Sequence, residues 1–230
     1  MIMGLDMFRY GLTPQLFINM AVRLFVIFCI LPIHEFAHAY TAHKLGDDTA
    51  RLSGRMTLNP LAHVDPIGAL MVIFVGFGYA KAVPVNMRNF RPEHRKRNMA
   101  LVSVAGPLSN VLLAFILVLI AYILRFVGVT NGSEFAANLV TVCMFGANCN
   151  TMLAVFNLLP VPPLDGSRIL SVVLPDRYYY KIMQYERYIM IGLFVLLFTG
   201  ILTTPLSFLS SLILGLFSNI TQIPIEMMMR

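Results

Sequence analysis

The sequence predicts an all-α polytopic membrane protein with about five to six transmembrane helices and a short membrane-associated re-entrant or β element. Three observations carry this expectation. Only 12% of the residues are charged and 58% are hydrophobic, with a mean hydropathy of +0.76; a soluble domain of this length needs more charge to cover its surface. Uncharged runs of 26, 30 and 38 residues exceed the length a spanning helix requires, about 20. The Lys and Arg residues gather in the connections between those runs, as membrane topology demands. Basic loops beside spans therefore account for the net charge of +6, and nucleic acid is not an expected partner. Four to six spans would occupy most of the chain, so residues 1–230 are expected to form one membrane-embedded domain.

The opening residues MIMGLDMFRYGL lack the basic n-region, short apolar stretch and small-residue cleavage site of a secretory signal, so the first apolar segment is expected to persist. That segment runs from about Pro14 to Ala42 and is interrupted by Arg23 and by His34-Glu35. Between Lys44 and Arg97 the composition changes, with nine Lys/Arg and four Asp/Glu. Within it, Pro66–Ala80 is uncharged but only 15 residues long. It reads as a re-entrant element leading into an extended stretch, Tyr79–Val85, because non-helical backbone at membrane depth needs protein or a water-filled cavity around it. Met99–Leu124 and Phe135–Leu164 are unambiguous spans. A polar, tyrosine-rich stretch, Asp165–Arg187, follows, and Tyr188–Ile225 is an uncharged run broken near Thr203-Thr204-Pro205, hence two helices or a span and a half-span. The basic 44–97 and 165–187 regions are expected on the cytoplasmic side and the 126–134 connection, without Lys or Arg, outside. Both assignments hold only if Pro66–Ala80 does not cross, which places His34, His38 and Asp165 at similar depth near one face. Cys29, Cys143 and Cys149 all lie in apolar segments and read as packing residues.

His34-Glu35-Phe36-Ala37-His38 is the H-E-x-x-H pattern. Residues four apart share a helix face, so both imidazoles can reach one Zn²⁺ while Glu35 stands beside the metal as a proton acceptor. Three ionisable groups in an apolar span are costly unless paired or hydrated, which favours a functional reading. Pro32, one turn earlier, is positioned to loosen the helix. A catalytic zinc keeps three protein ligands and one open position. His43 falls on the far side of the helix. Asp165, after Asn157-Leu-Leu-Pro-Val-Pro-Pro-Leu164, is the favoured third ligand: the prolines favour an extended path, and Gly166 lets the backbone turn the carboxylate inward. His63 and Asp65 compete for that role, and an ordinary helix-capping turn at Asp165-Gly166 is the bland alternative.

These motifs resemble the site-2 protease family of intramembrane zinc metalloproteases. The matching residues are His34-Glu-Phe-Ala-His38, Gly106-Pro-Leu-Ser-Asn110 and Asn157 through Asp165-Gly166. Asn59-Pro-Leu-Ala-His63-Val-Asp65-Pro-Ile-Gly68 and Ala80-Lys-Ala-Val-Pro-Val85 look like its compact bacterial branch. The resemblance implies one zinc per chain held by His34, His38 and Asp165, with Glu35 as general base and a three-helix catalytic core near 15–43, 99–125 and 135–160. It makes Asn157 a candidate for steadying substrate or the developing oxyanion. It also implies transmembrane protein substrates within a bacterial plasma membrane. No PDZ-like or nucleotide-sensing insertion is evident, so selection by such a module is not expected. Gly106 and Asn110 read as helix-packing residues, Asn150 as ambiguous, His63 as a loop histidine or a partner to a ligand, and Arg23 as snorkelling or lining a polar cavity. His94, in the basic run Arg91–Arg97, is expected to meet anionic lipid headgroups.

A metal transporter would distribute its ligands along a pathway and often carry inverted repeats, whereas this chain has one compact cluster and no repeat. An inactive scaffold would be expected to have lost Glu35 or a ligand. Because a helical substrate hides its carbonyls, the extended stretch around Tyr79–Val85 is expected to pair with the unwound substrate by strand addition.

Overall fold

A computed structural model describes residues 21, 23–74, 80–128 and 132–228, and the side chains of those up to 222. Helices dominate the described residues and no β-ladder forms among them. The expected extended stretch survives as residues 80–85, free of helix, while Tyr79 lies outside the described residues. By contacts the chain divides into two units, residues 1–106 and 107–230.

The first unit begins with a π-helical turn, Val26–Ile30, that runs into α1, Leu31–Lys44. Pro32 stands in the first turn of α1. It has no N–H for the Phe28 carbonyl and its ring crowds that position, so the wider π turn upstream is the physical outcome of the proline. A short helix α2, Thr49–Leu52, follows, then a 3₁₀ turn, Pro60–Ala62, and α3, Pro66–Phe74. Nine residues of helix rise about 14 Å, half the apolar thickness of a bilayer. Residues 75–79 of the expected re-entrant element lie outside the described residues. Arg23 donates from its guanidinium to the Ile73 carbonyl on α3, so its head turns into the protein rather than snorkelling outward.

Among its described residues the first unit has two small cores. Ala42, Phe90, Met99 and Val102 form one, with Leu45, Val85 and Met87 against it. Ala39, Ala50 and Val83 form the other. Both place residues of the 83–90 segment on α1, so the extended stretch is held by side chains as well as by hydrogen bonds. Asp47 locks the same connection. Fully buried, it accepts from Thr49 N at 3.1 Å, Thr49 Oγ at 2.5 Å, Asn86 N at 2.7 Å and Asn89 Nδ2 at 2.7 Å. Burial pushes its carboxyl up, but those donors outweigh burial and hold it below the usual carboxylate range.

α4, Arg95–Val127, begins in the first unit after a 3₁₀ turn, Pro92–His94, and continues into the second. α5, Glu134–Asn157, is capped by Ser133, whose hydroxyl accepts from Ala136 N. Two short helices follow, α6, Asp165–Val173, and α7, Asp176–Gln184. The 188–225 run splits, as expected, into α8, Glu186–Phe198, and α9, Thr203–Met228. The break falls a few residues earlier than the Thr203-Thr204-Pro205 signal. Gly200 takes φ +75°, which ends α8, and Pro205 is accommodated in the first turn of α9. In the second unit Ala114, Val118, Ala147 and Phe217 join α4, α5 and α9, and Thr151 and Ser210 share a buried hydrogen bond of 2.6 Å. Asn150 donates to the Gly146 carbonyl of its own helix at 2.8 Å, while its buried Oδ1 meets no partner among the described residues. Cys29, Cys143 and Cys149 are free thiols.

Among the described residues, four helical stretches are long and apolar enough to cross a membrane: Arg23–Lys44, Pro92–Val127, Glu134–Asn157 and Thr203–Gln222. Asp47→Ala should destabilise the protein by about 2–3 kcal/mol, since several donors lose a charged, buried acceptor; thermal unfolding in detergent measures it. A depressed carboxyl contributes stability above its unfolded pKa, and that contribution is lost as pH falls through the folded value. The advantage of wild type over Asp47→Asn should thus be full at neutral pH and shrink below about pH 4.

Candidate metal centre

The sequence places His34, Glu35 and His38 on α1, and all three are buried, at 4%, 8% and 7% exposure. Helical spacing brings the two imidazoles together edge to face, with ring centroids 4.6 Å apart and Nε2 atoms 3.0 Å apart. Two Zn–N bonds of about 2.0–2.1 Å at a tetrahedral angle hold their nitrogens about 3.3 Å apart. The pair is therefore already set at nearly the separation a shared metal needs.

Tautomer follows from the surroundings. His38 Nδ1 lies 2.7 Å from the Val102 carbonyl, an acceptor only, so Nδ1 carries the hydrogen and donates it. A neutral His38 then presents a lone pair at Nε2, towards His34. This is the carbonyl-backed imidazole arrangement typical of metal ligands. Gly106, one turn after Val102 on α4, makes the approach possible. A Cβ there would stand 2.3 Å from His38 Nε2 and 2.6 Å from His34 Cε1. Helix packing is thus the right physical class for Gly106, but what it admits is the histidine pair itself. Pro107 cannot donate to the Ser103 carbonyl, which loosens α4 beside these contacts.

Glu35 accepts from Val83 N–H at 2.9 Å. The carboxylate is held by the extended stretch, which is itself tied down. Lys81 N donates to the His63 carbonyl at 2.9 Å, and Arg55 donates to the Lys81 carbonyl. This anchoring was not foreseen from the sequence, because backbone donors leave no side-chain signature.

Two other histidines of the unit, His43 and His63, bond elsewhere. His43 Nδ1 pairs with Asp48 at 2.5 Å, in keeping with its place on the far side of the helix. His63 is 1% exposed, its Nε2 is 2.8 Å from the Thr57 carbonyl, and its own carbonyl takes Lys81 N. Asp65 accepts from Gly68 N at 2.9 Å, opening α3. The His63 carbonyl thus anchors the extended stretch while Asp65 starts α3, and His63 Nδ1 is buried without a partner among the described residues.

In the second unit, Asp165 is the first residue of α6 and Asn157 the last of α5. The intervening segment departs from expectation. Instead of an extended path, Leu158–Leu164 folds into successive turns, with Val161 N on the Leu159 carbonyl at 2.8 Å and Leu164 N on Val161 at 2.9 Å. Its prolines, with their fixed φ, favour turn geometry, and the Pro162-Pro163 bond is cis. Gly166 also acts by another route than conformational freedom: it is helical, and a Cβ would fall 2.3 Å from the Leu158 carbonyl and 2.4 Å from that of Leu159. Only glycine lets this loop close against α6. Ser167 seals it by donating to the Leu164 carbonyl at 2.7 Å. An anionic side chain at the start of a helix is favoured by the dipole, and the sealed loop fixes where Asp165 opens α6.

The donor set and geometry of the His34–His38 pair fit a divalent metal. Gly106→Ala should lower the metal content of the purified protein by roughly tenfold or more, since the added methyl occupies the space of the imidazole edges; elemental analysis checks this, with circular dichroism to verify that the helices persist.

The profile described as Peptidase family M50 matches residues 120–200. "Putative zinc metalloprotease YwhC" of Bacillus subtilis is 40% identical over 200 residues, covering 85% of this chain and 86% of its own. "Putative zinc metalloprotease Rip2" of Mycolicibacterium smegmatis is 32% identical across 59% of this chain and 51% of its own. "Zinc metalloprotease MJ0392" of Methanocaldococcus jannaschii is 27% identical across 70% and 36%. No solved structure matches. With its spanning helices and its likeness along most of the length of YwhC, the chain belongs to peptidase family M50, the site-2 protease family, as an integral-membrane metallopeptidase.

Proposed function

We propose that this chain is a zinc endopeptidase that cuts transmembrane protein substrates within the bilayer of a bacterial plasma membrane, with its site toward the cytoplasmic side. The observation that carries the reading is the convergence of His34 and His38 Nε2 at 3.0 Å beside a buried Glu35, on a helix long enough to span. His34, His38 and Asp165 would hold one zinc. Zinc bound there supplies a Lewis acid that lowers the pKa of water toward about 7 and polarises the scissile carbonyl.

The chain's own groups do the rest. Val83 N–H occupies Glu35 Oε2 and limits rotation of the carboxylate, leaving Oε1 to accept the proton of the attacking water. The same carboxyl then returns a proton to the leaving amine. Val102 keeps the hydrogen of His38 on Nδ1 throughout, so Nε2 stays a ligand. Asn157 is proposed to steady the substrate or the developing oxyanion.

Residues 80–85 would receive the unwound substrate by strand addition. Along this stretch Lys81 and Val83 turn their N–H groups to His63 and Glu35, while the Ala82 N–H bonds no described residue and the Ala82 and Pro84 side chains are exposed. One edge is thus anchored and the other offers a donor to an incoming chain. Because the anchored edge ends on Glu35, pairing would deliver the substrate backbone next to the base.

Glu35→Gln should reduce cleavage of a transmembrane reporter by roughly 10²–10⁴-fold while leaving zinc bound; unchanged cleavage would remove Glu35 from the mechanism. Zinc content should be about one per chain in wild type, lost in Asp165→Ala and kept in His63→Ala; retention in Asp165→Ala would break the ligand set. Ala82→Pro, which deletes the outward donor, should slow cleavage roughly fivefold or more without loss of zinc.

A further inference from the structure

Away from the metal centre, the first unit carries a cavity of about 540 Å³ where the end of α1 meets the start of α4. Lys44, Arg91, His94 and Arg97 line it, together with Asn98 and Leu101, and no Asp or Glu is among the lining residues. Clustered cations repel one another, so a folded chain usually sets carboxylates between them. Here none is set. Arg91, His94 and Arg97 make no ion pair or side-chain hydrogen bond with any described residue, and Lys44 has only the face of Tyr40, 5.3 Å away.

Asn98 is the second and independent sign. Its side chain is 92% buried, being 8% exposed, yet it bonds no described residue although it lines the cavity. Its polar atoms are not sealed off, so the amide keeps its hydrogen-bonding capacity for a ligand held in the cavity it lines. The first turn of α4 adds the positive end of a 33-residue helix dipole on the same side. The neighbouring Asn89 amide is already spent on Asp47 and Thr49, so it shapes the wall rather than the ligand.

We propose that this cavity is a binding site for a phosphate-bearing anion, with Arg91, Arg97 and Lys44 supplying charge and Asn98 a directional hydrogen bond. Position favours a phospholipid headgroup as its source. α4 enters its long apolar run one turn further on, and Leu101, 43% exposed, continues the cavity wall along it, as an acyl chain would require. A free phosphate would use the same polar groups but not Leu101. The site goes beyond the proteolytic reading and shares no residue with it.

Native mass spectrometry of the full-length detergent-solubilised protein tests the proposal. The protein is first equilibrated with mixed micelles of phosphatidylcholine and phosphatidylglycerol. Wild type should retain one phosphatidylglycerol per chain in preference to phosphatidylcholine. Arg91→Gln with Arg97→Gln should weaken retention roughly 30-fold, as expected for two cations near a lipid phosphate. Arg177→Gln with Arg187→Gln, which removes the same charge from exposed positions elsewhere, should leave it within about twofold. Asn98→Leu, which changes no charge, should also weaken it; since that residue is buried, its helix content and zinc are measured beside it. Competition by inorganic phosphate separates the sources: displacement of the lipid identifies a general phosphate site, and no displacement identifies a headgroup site that needs the acyl chain. Equal retention by wild type and the Arg91/Arg97 variant, or equal loss from the Arg177/Arg187 control, would overturn the proposal.

Discussion

Two imidazoles and a carboxylate in a membrane-crossing helix are each expensive, and the first unit is organised around giving every one of them a partner. His38 has the Val102 carbonyl, Glu35 has the Val83 amide, and the histidines have each other. Those partners come from segments far along the chain. They reach α1 only because Gly106 carries no side chain and because the 80–85 stretch stays out of helix. The cost of burying three polar groups thus dictates where α4 begins to pack and why a non-helical segment is kept beside α1. This is the general condition for irregular backbone at membrane depth: its polar groups must be taken up by protein.

The extended stretch illustrates how little regular structure such a condition demands. It has no ladder, yet it is fixed at each end by a different kind of contact. Arg55 and the His63 carbonyl hold Lys81, and Asp47 holds Asn86 and Asn89. Val83 and Val85 are carried into the two small cores while Ala82 and Pro84 remain exposed, the period-two alternation of a strand. Rigidity here comes from hydrogen bonds to side chains of the neighbouring loop, so the outer edge is left available without being loose. An edge kept available in this manner would be an aggregation hazard in a soluble protein; Pro84, which has no donor, limits that hazard.

Asp165 is built by a different logic. Where His34 and His38 are aligned by helix periodicity alone, Asp165 is placed by a compact turn whose closure depends on Gly166 and Ser167. A short helix begins at the carboxylate itself, so the group is oriented by the first turn rather than by a long rod. Prolines on either side of Val161 cut the number of conformations the unfolded loop can sample, which lowers the entropy lost when the turn forms.

Much of this was legible in the chain itself. The apolar runs specify helices and their lengths, H-E-x-x-H sets two imidazoles side by side with a carboxylate next to them because four residues are close to one turn, and the same periodicity turns His43 away. The break within 188–225 was legible too, although its position was not: the left-handed Gly200 ends the helix before the Thr203–Pro205 signal is reached. Tertiary structure alone decided the rest. The carbonyl of Val102, the amide of Val83 and the donors around Asp47 are mostly backbone groups, which every residue possesses, so no residue type announces them. Gly166 was legible as special, but the reason, two carbonyls where a Cβ would be, needed the folded loop. The cations at 44 and 91–97 looked like an ordinary basic run until folding gathered them around one cavity with a buried amide. Sequence spacing determines which groups share an element, because helix geometry is local; which groups meet across elements depends on packing, and packing is a property of the whole chain.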